Sequence, residues 1–188
     1  MHGYKLTEAG LNFISPYTVT GEVSGSHKVS VALVVFRDGA NGREILMQKR
    51  QRHPFFGDIT SIAGKIRLGE LIVDAAKRKL KEEAALDGEF RLIGVLRKCK
   101  FNKDKVLLED TFYHYCVTEN PSGDLESINK HGENFWVPIE HALFLMKNNA
   151  DSGKSYEDIF KRIVKNDLSW FYSEQSEIID QYSKELIK

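Results

Sequence analysis

The segment Gly64–Leu86 carries the charged residues that are best spaced for chemistry in this chain. It reads GKIRLGELIVDAAKRKLKEEAAL. From Leu71 onward its apolar residues recur at helical spacing, which predicts a helix. In a helix, residues three and four positions apart share a face, so Lys79, Glu82 and Glu83 are expected to converge. Paired carboxylates are oxygen ligands of the kind that Mg²⁺ prefers in proteins.

The same segment resembles the Nudix box. That pattern is Gly, five residues, Glu, seven residues, then Arg-Glu-U-x-Glu-Glu-x-Gly-U, where U is a bulky aliphatic residue. The matching positions are Gly64, Glu70, Arg78, Leu80, Glu82, Glu83 and Leu86. Together with the surrounding strands, the resemblance covers about residues 28–148. It indicates a relative of the MutT-like Nudix hydrolases.

The resemblance implies an α+β fold, an αβα sandwich with a mixed central sheet. It also implies an Mg²⁺-dependent pyrophosphohydrolase, with Mn²⁺ as a substitute, that cleaves a nucleoside diphosphate-linked compound. Mg²⁺ would neutralise the polyanionic substrate and help a water attack phosphorus. By the same resemblance Glu82, Glu83 and Gly64 are expected to hold the metal, and Arg78 to orient a box carboxylate. Glu70, Leu80 and Leu86 would be structural parts of the box.

Two positions depart from the box pattern, and Lys79 is the more serious departure. It places a positive charge where the family has a negative one, four residues before Glu83. We expect its ammonium to pair with Glu83 and to compete with a metal. Metal binding would then be weaker and hydrolysis attenuated. The alternative is a non-catalytic Nudix domain that binds a nucleotide or a protein partner. Ala85 replaces a Gly, and the helix is predicted to continue through it and end near Gly88.

A further carboxylate from a later loop often acts as base or extra ligand in this family. Glu133 is the first choice here, because the family commonly places an acidic residue just before a strand like FWVPIE. The alternatives are Glu109, Asp110 and Glu126.

Residues that flank the box are candidates for substrate binding. Those predicted to contact substrate are Arg50, Arg52, Phe56 and Lys65. Lys49, Phe55 and Trp136 are further candidates. A solvated strand end explains the basic residues equally well, whereas core packing is the expected role of Trp136 and of at least one of the two phenylalanines. The isolated His53, His114 and His131 are interpreted as structural or surface residues.

The pattern along the chain predicts strands before, after and beyond the box helix. The strands are Val29–Phe36, Ile45–Lys49, Arg91–Arg97, Thr111–Val117 and Phe135–Val137, and the helices are Leu71–Leu86 and Pro138–Lys147. Residues 53–65 are predicted to form a loop. The domain divisions are an N-terminal arm at 1–27, a Nudix domain at 28–150 and a C-terminal helical extension at 151–188.

Composition limits the partners. The chain has 27 basic and 27 acidic residues, so we expect neither an extended nucleic-acid surface nor an anionic-membrane surface. Cys99 and Cys116 lack metal-ligand spacing, which favours reduced thiols and a cytoplasmic protein. An isopentenyl-diphosphate-type isomerase shares the fold, but Cys99 has no evident catalytic counterpart. A homodimer is left open, because the C-terminal stretch could cap the domain or form a contact between copies.

Overall fold

A computed structural model describes residues 27–40, 42–52, 56–146 and 154–178. These ranges contain eight strands and three helices. In chain order they are β1 (Lys28–Gly39), β2 (Gly42–Arg50), β3 (Ile59–Thr60), β4 (Ala63–Lys65), α1 (Ile72–Ala84), β5 (Arg91–Phe101), β6 (Leu107–Glu119), β7 (Gly132–Pro138), α2 (Ile139–Met146), α3 (Lys154–Val164) and β8 (Phe171–Ile178). Within these ranges, no helix is long and apolar enough to cross a bilayer.

All eight strands belong to one mixed sheet. Its main order is β3-β2-β1-β6-β5-β8, while β4 pairs with β1 and β7 pairs with β2. The pairs β1–β6 and β5–β8 are parallel, and the others are antiparallel. β1 is central because it pairs with β6 as well as with β4, through its first half, and β2, through its second half. This arrangement confirms the predicted α+β class and the mixed sheet.

The alternation of β1 divides its side chains between two cores, since successive residues of a strand point to opposite faces. Val31, Leu33 and Val35 pack with the apolar side of α1. Ala32 and Val34 lie in the other cluster, with residues of α2 and α3. Helices therefore cover both faces, and the long apolar run of β1 is explained by burial on both sides.

The prediction of a helical region at 151–188 is right for Lys154–Val164 and wrong for Phe171–Ile178, which is strand β8. β8 lies parallel to β5, so the edge of β5 supplies its backbone hydrogen-bond partners. Its side chains alternate between half-buried and exposed along the whole strand. That period of two was hidden because the apolar residues of this stretch also fit a helical spacing. Of the predicted arm at residues 1–27, residues 1–26 lie outside the described residues.

Two local predictions around the box also need correction. The stretch predicted as a loop contains the short strands β3 and β4, which pair with β2 and β1. Helix α1 ends at Ala84 rather than near Gly88, and Ala85 adopts a left-handed conformation with φ of 60°. The helix therefore stops where the Nudix box has its Gly, because this position reverses the chain in a conformation that Gly adopts most easily.

Candidate functional site

The box face of α1 is fixed by what lies on the opposite side of the helix. Ala75, Ala76 and Leu80 are fully buried against the sheet. Their burial leaves Lys79 and Glu82 directed toward the edge of the core, beside strand β4. Residue 64 lies on β4, directly opposite Val31 of β1 in antiparallel register. Leu80 and Leu86, predicted as structural positions of the box, both lie in the core.

Arg78 and Glu70 form a two-pronged ion pair that ties the loop before α1 to the helix. Arg78 donates from Nε to Glu70 Oε1 at 2.6 Å and from Nη2 to Glu70 Oε2 at 2.7 Å. It also donates to Glu82 Oε2 at 3.1 Å and to the carbonyl of Lys65 at 3.1 Å. The hydrogen bond from Arg78 lowers the pKa of Glu70 to about 2. The predicted contact of Arg78 with a box carboxylate is present.

Lys79 lies between the two carboxylates that the box pattern assigns to a metal. Its Nζ is 2.7 Å from Glu83 Oε1 and 3.5 Å from Glu82 Oε2. The stem of Lys79 passes directly over Gly64, because a Cβ placed on that glycine would lie 1.9 Å from Lys79 Cε. Gly64 thus provides the space in which this lysine reaches the carboxylates. The predicted pairing of Lys79 with Glu83 is confirmed.

The electrostatic setting of Glu82 differs from that of Glu83. Glu82 is the more exposed of the two, with 36% of its side chain accessible against 7% for Glu83. Partial burial opposes the charge on Glu82, but Arg78, Lys79 and Arg67 together lower its pKa below the ordinary value. Both carboxylates therefore face neighbouring cations.

Gln48 and His131 complete the surroundings of Glu83, and sequence reasoning missed both. Gln48 donates from Nε2 to Glu83 Oε2 at 3.3 Å, and His131 Nδ1 lies 3.7 Å from Glu83 Oε1. His131 is isolated in the sequence but lies beside a box carboxylate in the structure. Its interpretation as a structural or surface residue stays a prediction. Burial lowers its pKa, against the opposing influence of Glu83. The alternation of LMQKR could have placed Gln48 on the same face as buried Leu46, but His131 comes from a loop without a periodic pattern.

Asn134 and Asn129 attach this loop to the last turn of α1. Both donate from Nδ2 to the backbone carbonyl of Glu83, at 2.5 and 2.8 Å. Asn134 also donates to the carbonyl of Glu126 at 2.8 Å. These contacts satisfy a carbonyl that the end of a helix leaves without a partner inside the helix. They explain how a distant loop is held against the box.

The predicted substrate-binding residues lie at different distances from this centre. Arg50 ends β2, two residues after Gln48 and on the same face, and its backbone lies opposite Gly132. Arg52 donates from Nε to the carbonyl of Lys130 at 2.8 Å, so it borders the loop that carries His131. Lys65 is exposed on β4, and Phe56 is 62% exposed. Residues 53–55 lie outside the described residues.

The later-loop carboxylates are not brought to the Glu82–Glu83 pair by any contact that the structure describes. Glu133 is exposed on β7 and is the strand neighbour of Asn134, so the two side chains point to opposite faces. Glu126 accepts a hydrogen bond from Asn129 at 3.1 Å. Asp110 is engaged by Arg97 on β5 and by His27. The backbone N–H of Glu126 donates to the carbonyl of Ala84 at 3.0 Å, but none of these carboxylates has a described contact with Glu82 or Glu83. The assignment of Glu133 as base stays a prediction.

The side chains of this site do not fit a divalent cation. Among the described residues, no three acidic, histidine or cysteine side chains are grouped to hold a metal ion. Lys79 forms ion pairs with both box carboxylates, and Arg78 forms a further ion pair with Glu82. A divalent ion would have to displace an ammonium that is already neutralising them.

These features define a class of domain: a mixed sheet between helices, with a charged loop and helix on one face. A family model described as NUDIX domain matches residues 26–159. A MutT protein from Bacillus halodurans superposes with a TM-score of 0.65 and 18% identity, covering 80% of this chain and 90% of that one. No curated protein sequence gives a significant match.

Two further structures share the fold. The NUDIX domain of Shewanella oneidensis NrtR, complexed with ADP ribose, has a TM-score of 0.60 and 15% identity, covering 86% of this chain and 99% of that one. An Ap4A hydrolase from C. elegans has a TM-score of 0.50 and 18% identity, covering 73% of this chain and 96% of that one. Together with the family match, the fold shows that this chain belongs to the Nudix family.

Proposed function

We propose that this Nudix domain binds a nucleoside diphosphate-linked compound at the box, and that Lys79 attenuates its hydrolysis. The single observation that carries the proposal is the position of the Lys79 ammonium between Glu82 and Glu83. The box keeps the loop and helix that its family uses for phosphate anhydrides, while the ammonium of Lys79 already pairs with Glu82 and Glu83. The ADP ribose in the NrtR complex supports the ligand class.

Slow pyrophosphohydrolase activity with Mg²⁺ or Mn²⁺ is the first candidate. It is supported by membership of the Nudix family and by the intact Arg78–Glu70 pair, which holds the loop before the helix. Glu82 is the more exposed box carboxylate, but Arg67, Arg78 and Lys79 already pair with it. A metal would have to displace at least one of these cations, which is why we expect the activity to be slow. Of the chain's own groups, Glu133, Arg50, Arg52, Phe56 and Lys65 are the ones we propose as further contributors.

A non-catalytic binding domain is the second candidate, and the Lys79–Glu83 contact favours it. In the box pattern, the position of Lys79 carries a carboxylate that contributes to the metal site. Here the same position contributes a cation whose side chain is 15% exposed. A domain with this site would recognise a diphosphate by charge and hydrogen bonding. It would release the ligand unchanged.

Changing Lys79→Glu distinguishes the two candidates. The substitution restores the box pattern, so we expect Mg²⁺-dependent hydrolysis to rise by about tenfold or more, in line with a gained metal ligand. Release of phosphate, pyrophosphate and nucleoside monophosphate would be measured over a panel that includes ADP-ribose and diadenosine tetraphosphate. A fall in activity would show instead that Lys79 is part of a specialised catalytic site.

Lys77→Glu is the matched control. Lys77 lies on the same helix but pairs with Glu89, whose side chain is 88% exposed, away from the box face. The control makes the same change of charge without adding a carboxylate to the site. Equal activation of both variants would mean that net charge, not the restored box, causes the effect.

A further inference from the structure

The lysine, arginine and glutamate side chains at the box form one network of ion pairs, and their formal charges sum to zero. Three cations, Arg67, Arg78 and Lys79, are paired with three carboxylates, Glu70, Glu82 and Glu83. Glu82 connects all three cations, since Arg67 Nη2, Arg78 Nη1 and Lys79 Nζ all lie within 3.5 Å of its oxygens. Neutrality is therefore reached with side chains alone.

A box with Glu at position 79 would have a different balance. Its network would carry two net negative charges, which one divalent cation would neutralise. A lysine carries the same net charge as a glutamate together with a divalent cation. Lys79 therefore restores in one residue the neutrality that the usual pattern reaches with a carboxylate and a metal.

The position of Lys79 agrees with this balance of charge. Its ammonium lies between Glu82 and Glu83, and its stem covers Gly64. These are the three residues that the box pattern assigns to the metal. We infer that Lys79 takes the place of the divalent cation in this box, so that the chain holds the diphosphate group of its ligand without a metal.

An ammonium has three N–H donors, and two of them are directed to the two carboxylates. The third has no partner among the described residues and is available to a phosphate oxygen, since 15% of the lysine side chain is exposed. Arg67, with 66% of its side chain exposed, adds a second cation on the same network. An anionic ligand placed there would meet two positive groups whose charges are held in position by carboxylates.

The inference rests on the proposed ligand class. Two measurements therefore test it, so that a wrong role for Lys79 and a wrong ligand class give different results. The first is Mn²⁺ binding, followed by the electron paramagnetic resonance signal of the free ion. We expect Lys79→Glu to bind Mn²⁺ at least about tenfold more tightly than the wild-type chain, because site affinity follows the count of ligand charges. The control Lys77→Glu is expected to match the wild type. Wild-type binding as tight as that of Lys79→Glu would overturn the inference.

The second measurement is calorimetric titration with ADP-ribose, in EDTA and again in Mg²⁺. We expect wild-type affinities within about threefold of each other. Lys79→Met keeps the stem over Gly64 but removes the charge, and should weaken binding in EDTA about tenfold. Binding by the wild type only with Mg²⁺ would overturn the inference and leave the proposed function standing. Binding in neither condition would contradict the ligand class, and the Mn²⁺ comparison would still decide the role of Lys79.

Discussion

Ala85 ends helix α1 in a left-handed backbone conformation, with φ of 60°. A residue with a Cβ is disfavoured there by about 1–2 kcal/mol. Glycine would remove this strain but would also gain entropy in the unfolded chain, which offsets about 0.4–1 kcal/mol. We therefore expect Ala85→Gly to raise the free energy of unfolding by about 0.5–1 kcal/mol, measured by urea denaturation.

Ala84→Gly is the control for that substitution. Ala84 is the last residue of α1 and is fully buried. Glycine at a helical position should lower stability by about 1 kcal/mol. If both substitutions destabilise the protein, the left-handed end of α1 at residue 85 is not the conformation in solution.

Glu70 gives the domain a specific dependence on pH. Its pKa falls from 4.5 to about 2 in the folded state, first because Arg78 donates a hydrogen bond to it. A lowered folded-state pKa stabilises the fold above the unfolded value of 4.5, and this stabilisation is lost as pH falls toward 2. We expect Glu70→Gln to be less stable than wild type at pH 7 and to lose less stability on acidification.

Urea denaturation at a series of pH values between those two limits measures this difference. Glu89→Gln is the control, because Glu89 is a carboxylate with 88% of its side chain exposed. Its curve should run parallel to that of the wild type. Parallel curves for Glu70→Gln would contradict the stabilising role of the pair with Arg78.

At the scale of elements, the loop before β7 is held to α1 by two asparagines that share one acceptor. Asn134 is 2% exposed, and its loss would leave the carbonyls of Glu83 and Glu126 with fewer partners. We expect Asn134→Ala to lower the free energy of unfolding by about 2–3 kcal/mol.

Asn129→Ala provides the comparison, since Asn129 donates to the same carbonyl of Glu83. The double variant should be destabilised by an amount that differs from the sum of the two single effects, because the two donors share a partner. Strict additivity in denaturation experiments would mean that the loop and α1 are not coupled through this carbonyl.

The sequence predicted α1 and its charged face because a helix imposes a fixed period on its residues. The same reasoning found the pairing of Lys79 with Glu83, which depends only on a separation of four positions. It could not find His131, which reaches Glu83 because Asn129 and Asn134 anchor its loop. Contacts between a helix and a distant loop leave no period in the sequence.

At the scale of the whole molecule, β8 extends the sheet beyond β5. Phe171 lies beside Gly94, where a Cβ would come within 2.3 Å of the Phe171 ring. The ring also packs against Tyr115, with centroids 5.6 Å apart. The absence of a side chain at residue 94 therefore creates the place into which β8 docks.

We expect Phe171→Ala to lower the free energy of unfolding by about 2–3 kcal/mol, because it removes a large aromatic from this contact. The neighbouring Tyr172 is 58% exposed, so Tyr172→Ala should change stability by less than about 0.5 kcal/mol. Urea denaturation compares the two. Equal effects would contradict the docking of β8 against Gly94.

β8 was not predicted because its partner strand is distant in the chain. The local spacing of apolar residues in this stretch is compatible with a helix. It forms a strand because the edge of β5 offers it backbone hydrogen-bond partners. The two cores of β1, in contrast, follow from its own continuous apolar run. Elements determined by their own period were predicted, whereas those determined by distant partners were not.

The parallel pairing of β5 with β8 also has a consequence for biosynthesis. During synthesis β5 emerges from the ribosome well before β8. Until β8 has emerged, the edge of β5 that pairs with it has unpaired backbone hydrogen-bonding groups. Such an edge can pair with another nascent chain and lead to aggregation. Pairings between distant segments also slow folding. Production yield should therefore depend on how long this edge stays uncovered, and slower synthesis would prolong the exposure.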